Sequence, residues 1–212
     1  MVTVMGIGAE DEEFDRSDGH MSTADVILIS AELCVHQNMQ TVNVSYNDIG
    51  DGSYTLHPDG SIVFGTEKAD DVASGLWIGR CLTFNQSITE LNLKACELGF
   101  EAASGIAKGL ARNGTLRDIN LKGNVLGPAG ARAILEEGLQ ANQSIRIVNL
   151  ANNGIVPGGQ IYVNREKPPG DAAVTATLRA WAAHKKKGKR REMILDGDEE
   201  STEESEDASD DE

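Results

Sequence analysis

Apolar and polar residues alternate over short stretches in the middle of the chain, and the alternation returns at a regular spacing. Ile88-Thr-Glu-Leu91-Asn-Leu93-Lys-Ala-Cys96-Glu-Leu98-Gly99 is followed twenty-eight residues on by Leu116-Arg-Asp-Ile119-Asn-Leu121-Lys-Gly-Asn124-Val-Leu126-Gly127. Twenty-nine residues later comes Ile145-Arg-Ile-Val148-Asn-Leu150-Ala-Asn-Asn153-Gly-Ile155. A further copy, Met39-Gln-Thr-Val42-Asn-Val44-Ser-Tyr-Asn47-Asp-Ile49-Gly50, lies forty-nine residues ahead of Ile88, one period plus twenty-one extra residues. Within each copy two apolar residues flank a polar one, which predicts a short strand buried on one face: Leu91 and Leu93 inward, Asn92 outward. Between the copies, Ala103, Ile106 and Leu110, and then Ala131, Leu135 and Leu139, recur at intervals of three and four, the spacing of an amphipathic helix. Gly99 and Gly127 stand before these helices, and Pro128 suits a first helical turn.

One strand and one helix per unit, with L-x-x-L-x-L-x-x-N/C-x-L written repeatedly, is the leucine-rich-repeat signature. No such unit buries its apolar face alone, so the copies stack into an α/β solenoid, with a parallel β-sheet on the concave side and helices on the convex side. About four repeats are expected, with a hairpin insertion and disordered ends. The ladder residues Asn47, Cys96, Asn124 and Asn153 fall where each strand ends, and a buried amide there can bind backbone groups that the turn leaves unpaired. Cys96 does this weakly, so its repeat should have the poorest ladder contact.

The flanks depart from the period. Residues 1–20 are acidic and lack a sustained pattern, and read as disordered. The repeat domain is expected over residues 21–184, opening with a helix that carries Val26, Ile29 and Leu33, with Ser22 or Thr23 as N-cap and Asp25 in its first turn. The insertion, about residues 51–69, holds Tyr54 to Gly65 around Pro58-Asp-Gly60, a hairpin signal. A helix from about Glu67 to Thr83 should turn Val72, Leu76 and Gly79 toward the core, with Trp77 under the hairpin. An irregular passage from Pro157 to Gly170 precedes a last helix, about Asp171 to His184, carrying Val174, Leu178 and Trp181. Residues 185–212 read as a basic run, Lys185 to Arg191, and then a disordered acidic tail. The basic run fits a solvated helix extension, a nuclear-import signal or an anionic-surface contact. Ser201 and Ser209 each have an acid three residues on and suit an acid-directed kinase.

The net charge is −15, but residues 192–212 hold twelve of the thirty-four acids and no Lys or Arg, so residues 1–191 carry only −3. Cys34, Cys81 and Cys96 are odd in number and fall on helix faces or a ladder position, which argues for reduced thiols and an intracellular protein, cytoplasmic (the cytoskeleton included) or nuclear. No apolar run approaches membrane-spanning length, and no secretory leader pattern opens the chain. Nucleic acid is not an expected partner.

The four histidines are scattered, and the sequence holds no H-E-x-x-H, Cys-x-x-Cys, phosphate loop or G-x-S-x-G. No catalytic residue, metal ligand or cofactor site is therefore assigned, and binding is the better functional class. The binding surface follows from the outward strand positions. A central column of Asn43, Asn92, Asn120 and Asn149 is flanked by Thr41, Glu90, Asp118 and Ile147 on one side and Ser45, Lys94, Lys122 and Ala151 on the other. The candidate partner-binding residues are Asn43, Ser45, Glu90, Asn92, Lys94, Asp118, Asn120, Lys122 and Asn149, which place amides, carboxylates and ammonium groups on a concave sheet. A plain asparagine ladder along a short sheet accounts for the same column.

The period, the Leu-Gly after the ladder residue, and the lead-ins Asn85-Gln-Ser-Ile88, Asn113-Gly-Thr-Leu116 and Asn142-Gln-Ser-Ile145 resemble the ribonuclease-inhibitor-like subclass of leucine-rich-repeat proteins over about residues 22–184. The resemblance implies the fold; the outward strand residues and the lack of catalytic motifs lead to the expectation of a non-enzymatic intracellular scaffold or adaptor that binds a protein partner through the concave face and the hairpin, while the tail tunes solubility or contacts basic partners. The order of repeats and acidic tail is also similar to that of the Ran GTPase-activating protein family, which implies regulation of a small GTPase, although this chain has far fewer repeats. The acidic nuclear leucine-rich phosphoproteins share the plan with repeats of another subclass, and imply histone or basic-protein binding through the tail.

Overall fold

A computed structural model of the protein describes residues 5–50, 54–56, 62–64, 69–158, 170–184 and 190–198. Its main sheet is parallel and six-stranded: β1 (Glu13–Asp15), β2 (Thr41–Asn43), β5 (Glu90–Asn92), β6 (Asp118–Asn120), β7 (Ile147–Asn149) and β8 (Glu192–Ile194), in that order. Strands β3 (Tyr54–Leu56) and β4 (Ile62–Phe64) form a separate antiparallel hairpin where the insertion was expected, and its turn lies outside the described residues. Helices α1 (Thr23–Leu33), α2 (Ala69–Phe84), α3 (Phe100–Leu110), α4 (Gly127–Ala133) and α5 (Ala172–Ala183) alternate with the strands of the main sheet. A π-helical segment, Ile134–Leu139, continues α4. The architecture is a leucine-rich-repeat solenoid.

Each strand spans three residues because a single inward side chain and its two outward neighbours are all that the sharp turns leave extended. The register is unbroken across the sheet: Phe14, Val42, Leu91, Ile119, Val148 and Met193 form one inward row, all buried. Two residues on, Val44, Leu93, Leu121, Leu150 and Leu195 form a second buried row. After every strand of the main sheet the residue before the ladder position takes a left-handed conformation: Asp18, Tyr46, Ala95, Gly123, Asn152 and Gly197, with φ between 50° and 86°. Only two of these are glycine, so at the other four the surroundings hold a conformation that costs roughly 1–2 kcal/mol.

Buried asparagines provide that hold. Asn124 donates from Nδ2 to the carbonyls of Leu93 (2.9 Å) and Leu121 (2.8 Å), and its Oδ1 accepts from the amides of Cys96 and Leu98 (3.0 Å each). Asn47 and Asn153 bridge neighbouring repeats in the same way. Cys96 offers only a thiol, 3.1 Å from the Val44 carbonyl and 3.5 Å from that of Lys94, so among the four copies legible in the sequence its repeat has the weakest ladder contact, as expected. A second ladder runs at the other end of the strands. Asn113 donates to the Leu82 and Asn85 carbonyls, and Asn142 to those of Leu110 and Asn113. The oxygens of both cap the turn into the next strand. These are the asparagines of the Asn-x-[Ser/Thr] lead-ins, and they tie each helix end to the next repeat.

Helix starts follow the sequence. The Ser22 amide donates to Asp25 at the head of α1, Gly99 precedes α3, Pro128 stands in the first turn of α4, and Asp171 caps α5. Three expectations are corrected. Residues 5–20, read as disordered, contain β1 and bury Ile7 and Phe14; this copy escapes notice because Arg16 and Gly19 occupy the second apolar and ladder positions. The stretch read as the start of a disordered tail holds β8, in which Met193-Ile-Leu195-Asp-Gly-Asp198 repeats the motif with Asp198 as ladder residue, its carboxylate accepting from the Leu195 amide. The sheet therefore has six strands, not about four. Finally, Gly79 faces inward as expected, but Val72 and Leu76 point outward, and Ser74, Gly75, Ile78 and Leu82 take the inward places beside Gly79. The Trp77–hairpin contact, the passage over residues 159–169, most of the basic run and the two candidate phosphoserines lie outside what is described.

The rotation of α2 comes from how closely it lies on α3. A Cβ on Gly75 would overlap Ala102, one on Gly79 the Gly105 carbonyl, and one on Gly109 the Gly79 carbonyl, so the helices meet backbone to backbone. At the last strand the ladder changes chemistry. The carbonyls of Leu139 and Asn142, which a further ladder asparagine would take, accept instead from Trp181 Nε1 and Arg191 Nη2, both at 3.3 Å. Arg191 is buried, with its guanidinium 4.6 Å from the Trp181 ring, so this member of the basic run is part of the core.

Replacing Asn124 with alanine is expected to lower the unfolding free energy by about 3 kcal/mol, because four buried backbone groups lose their partner. Cys96→Ala should cost about 1 kcal/mol, and urea titration of the two variants measures the difference. Gly79→Ala forces the α2 and α3 backbones apart and should cost about 3 kcal/mol. Gly114→Ala, where a Cβ meets nothing nearer than 4.0 Å, should stay within about 0.5 kcal/mol of the parent in thermal melts.

Candidate functional site

The outward strand positions line a shallow groove of ≈ 310 Å³ on the concave side, walled by residues from β2, β5, β6, β7 and β8. The pairing sets two outward columns side by side. Glu13, Thr41, Glu90, Asp118, Ile147 and Glu192 form one, and Asp15, Asn43, Asn92, Asn120, Asn149 and Ile194 form the other. The structure thus brings the expected Asn43, Glu90, Asn92, Asp118 and Asn120 onto one surface. It adds Glu13, Asp15, Glu192 and Ile194, which went unassigned because their strands were not recognised.

The asparagines of this column do not bond to one another as a ladder. Each turns its Oδ1 back on its own chain: Asn43 accepts from the Ser45 amide, Asn92 from Lys94, Asn120 from Lys122 and Asn149 from Ala151, at 3.0–3.2 Å. The oxygen is spent on closing the turn, and the amide nitrogen remains as a donor. In Asn43 that nitrogen donates to Asp15 at 2.9 Å. Two of the candidates contribute little surface. Ser45 is buried with its hydroxyl donating to Asn43, and Asn149 is buried beneath the edge formed by β8. Lys94 stands on the rim, its ammonium 5.0 Å from the exposed Tyr46 ring.

The carboxylates set the electrostatics. Asp118 lies between Glu90 and Ile147 in its row, and partial burial, with the charges of Glu90 and Glu192 adding to it, raises its carboxyl above the ordinary value against the pull of Arg117. Asp15 moves the other way, lowered by hydrogen bonds from the Ser17 amide and hydroxyl. A cation brought to the Glu90–Asp118–Glu192 row would relieve the crowding.

The thiols are the remaining reactive groups. All three are free. Cys34, partly exposed at the end of α1, is hydrogen-bonded to Cys81 of α2, which with the nearby Arg80 charge holds it down to about 7. Cys81 is pushed up by that bond and by burial, and burial raises Cys96 to about 12. Among the described residues no group of three or more His, Cys, Asp or Glu could hold a metal ion, and no described helix is long and apolar enough to cross a membrane.

Comparisons with known proteins agree with the architecture. The Leucine Rich repeat family model matches residues 35–53 and 112–135, that is, the first recognised strand with its turn and the third repeat. No curated protein matches the chain. Among solved structures, the chain is similar to "Leiomodin-1 Actin-Binding Site 2 (ABS2)", with a TM-score of 0.52 and 12% identity, over 80% of this chain and 78% of that one. At that identity the likeness is one of fold: it places this chain's repeats on a known leucine-rich-repeat framework.

Proposed function

We propose that the protein is a non-enzymatic interaction scaffold that takes a protein partner on the concave face of its sheet. Its 28- and 29-residue period puts the array with the ribonuclease-inhibitor-like repeats, and an intracellular location, cytoplasmic or nuclear, goes with that reading. The observation that carries the proposal is the unbroken register, which aligns Glu13, Glu90, Asp118 and Glu192 in one row beside the amide donors of Asn92 and Asn120. Such a surface suits a partner that presents basic side chains along the carboxylate row and backbone or side-chain acceptors toward the amides.

This gives specific content to the basic-protein reading, since the carboxylates concerned lie in the sheet as well as in the C-terminal stretch. The similar structure is an actin-binding site, so actin is the first partner to test.

The experiment compares the full chain with a Glu90→Lys/Asp118→Lys double variant, in cosedimentation with filamentous actin and in affinity recovery from cell extract. These two residues make no turn-closing hydrogen bond of the kind that Asn92 and Asn120 make, so the double variant should keep its fold by circular dichroism. Loss of at least about 80% of the recovered partner is expected, because reversed charges in the centre of a polar interface cost several kcal/mol. Unchanged recovery would remove the concave face as the binding site.

A further inference from the structure

The convex side carries a surface of opposite character. Where α2 and α3 meet through Gly75, Gly79, Gly105 and Gly109, the helices lie backbone to backbone, and a groove of ≈ 530 Å³ floored by three of these glycines opens along the pair. One wall is apolar: Val72, Leu76 and Phe84 of α2 are 45%, 60% and 59% exposed. They lie four and eight residues apart, on one stripe of the helix, and the stripe is about 18 Å long at 1.5 Å per residue.

Between and opposite them are three cations, Arg80 on α2 and Lys108 and Arg112 on α3, against a single acid, Glu101. Arg80 lies over the rings of Trp77 (5.5 Å) and Phe84 (5.9 Å), so it is held at the groove by its aromatic neighbours. No ion pair joins Lys108 or Arg112 to a described residue. In a chain whose residues 1–191 carry a net charge of −3, an apolar stripe fringed by three cations against one acid is a local excess of positive charge.

We propose that this groove is a second docking site, which takes an acidic amphipathic helix of a partner protein. The chemistry of the occupant follows from the two walls. The apolar stripe needs large aliphatic or aromatic residues at i, i+4 and i+8 or their near equivalents, and a partner helix of about twelve residues matches its length. The cations need Glu or Asp on the flanks of that helix.

The chain's own acidic end meets only the second requirement. Residues 199–212 supply carboxylates, but their one apolar residue is Ala208, so they cannot cover Leu76 and Phe84. The site is independent of the concave face, and the two readings stand or fall separately.

The test uses the full chain and a fluorescein-labelled helical peptide of about fourteen residues, with leucines at the matching spacing and glutamates on its flanks. The control is the same peptide with lysine for each glutamate. Anisotropy titrations should show the acidic peptide binding at least about tenfold more tightly than the basic one, and losing affinity as salt rises from about 0.05 to 0.5 M. Leu76→Ser, Arg80→Glu and Lys108→Glu should each weaken binding about tenfold, whereas Glu90→Lys/Asp118→Lys leaves it within about twofold.

Equal binding of the two peptides, or indifference to all three groove variants, overturns the proposal. A gain of about tenfold on removing residues 199–212 would assign the groove to the chain's own tail, and overturns it too. Self-association in sedimentation that Leu76→Ser abolishes would assign the groove to a second copy, with the same consequence.

Discussion

A strand of three residues followed by a sharp turn leaves backbone amides and carbonyls that neither sheet nor helix can pair, and in the core an unpaired group costs about as much as a lost hydrogen bond. Every other feature of the molecule rests on how those groups are satisfied. Side-chain amides do it, because an asparagine has two donors and an acceptor and reaches both its own turn and that of the preceding repeat. The ladder of Asn47, Asn124 and Asn153 serves one end of the strands, and the ladder of Asn85, Asn113 and Asn142 the other. Between them the inward residues need only be apolar and of suitable size. That division explains why Val42, Leu91, Ile119, Val148 and Met193 can share one row, while the turns hold left-handed residues as bulky as Tyr46.

The sequence reveals the solenoid because its apolar period and its ladder residues vary together: where Leu-x-Leu is followed three positions on by Asn or Cys, the strand, the turn and the following helix are all specified. Each terminal strand breaks one half of that rule. Phe14 has the inward position but Arg16 follows it, and Asp198 replaces the amide in a stretch already rich in acids. A carboxylate accepts hydrogen bonds at the turn but offers no donor, so Asp198 takes the Leu195 amide and cannot reach back to a carbonyl of the preceding repeat as Asn124 and Asn153 do. The concave columns were legible from alternation alone. What alternation cannot show is that an outward asparagine spends its oxygen on its own turn, or that the neighbouring strand buries Asn149. The outward turn of Val72 and Leu76 was hidden for a different reason. Helical spacing identifies a stripe, but which stripe faces inward is decided by Gly75 and Gly79 fitting against Ala102 and Gly105.

The two faces are built by different means and carry different charge. On the concave side, the sheet register sets carboxylates in one row, and partial burial, with the charges of Glu90 and Glu192 adding to it, raises Asp118. On the convex side, absent side chains allow two helices to touch, and the residues displaced from the contact are left in solvent. A single-layered array exposes both sides of every repeat, so each repeat can contribute to two unrelated surfaces.

The guanidinium of Arg191 links the fold to the basic run in which it stands. It occupies the place of an absent asparagine amide and rests on Trp181, whereas its neighbour Arg190 is exposed. A receptor that reads clustered positive charge can therefore grip Arg190 at no structural cost, but can grip Arg191 only by peeling β8 from the sheet. Recognition of the run and attachment of the last strand compete for one side chain, and a protein that captured the whole cluster would loosen the array from its carboxyl-terminal side.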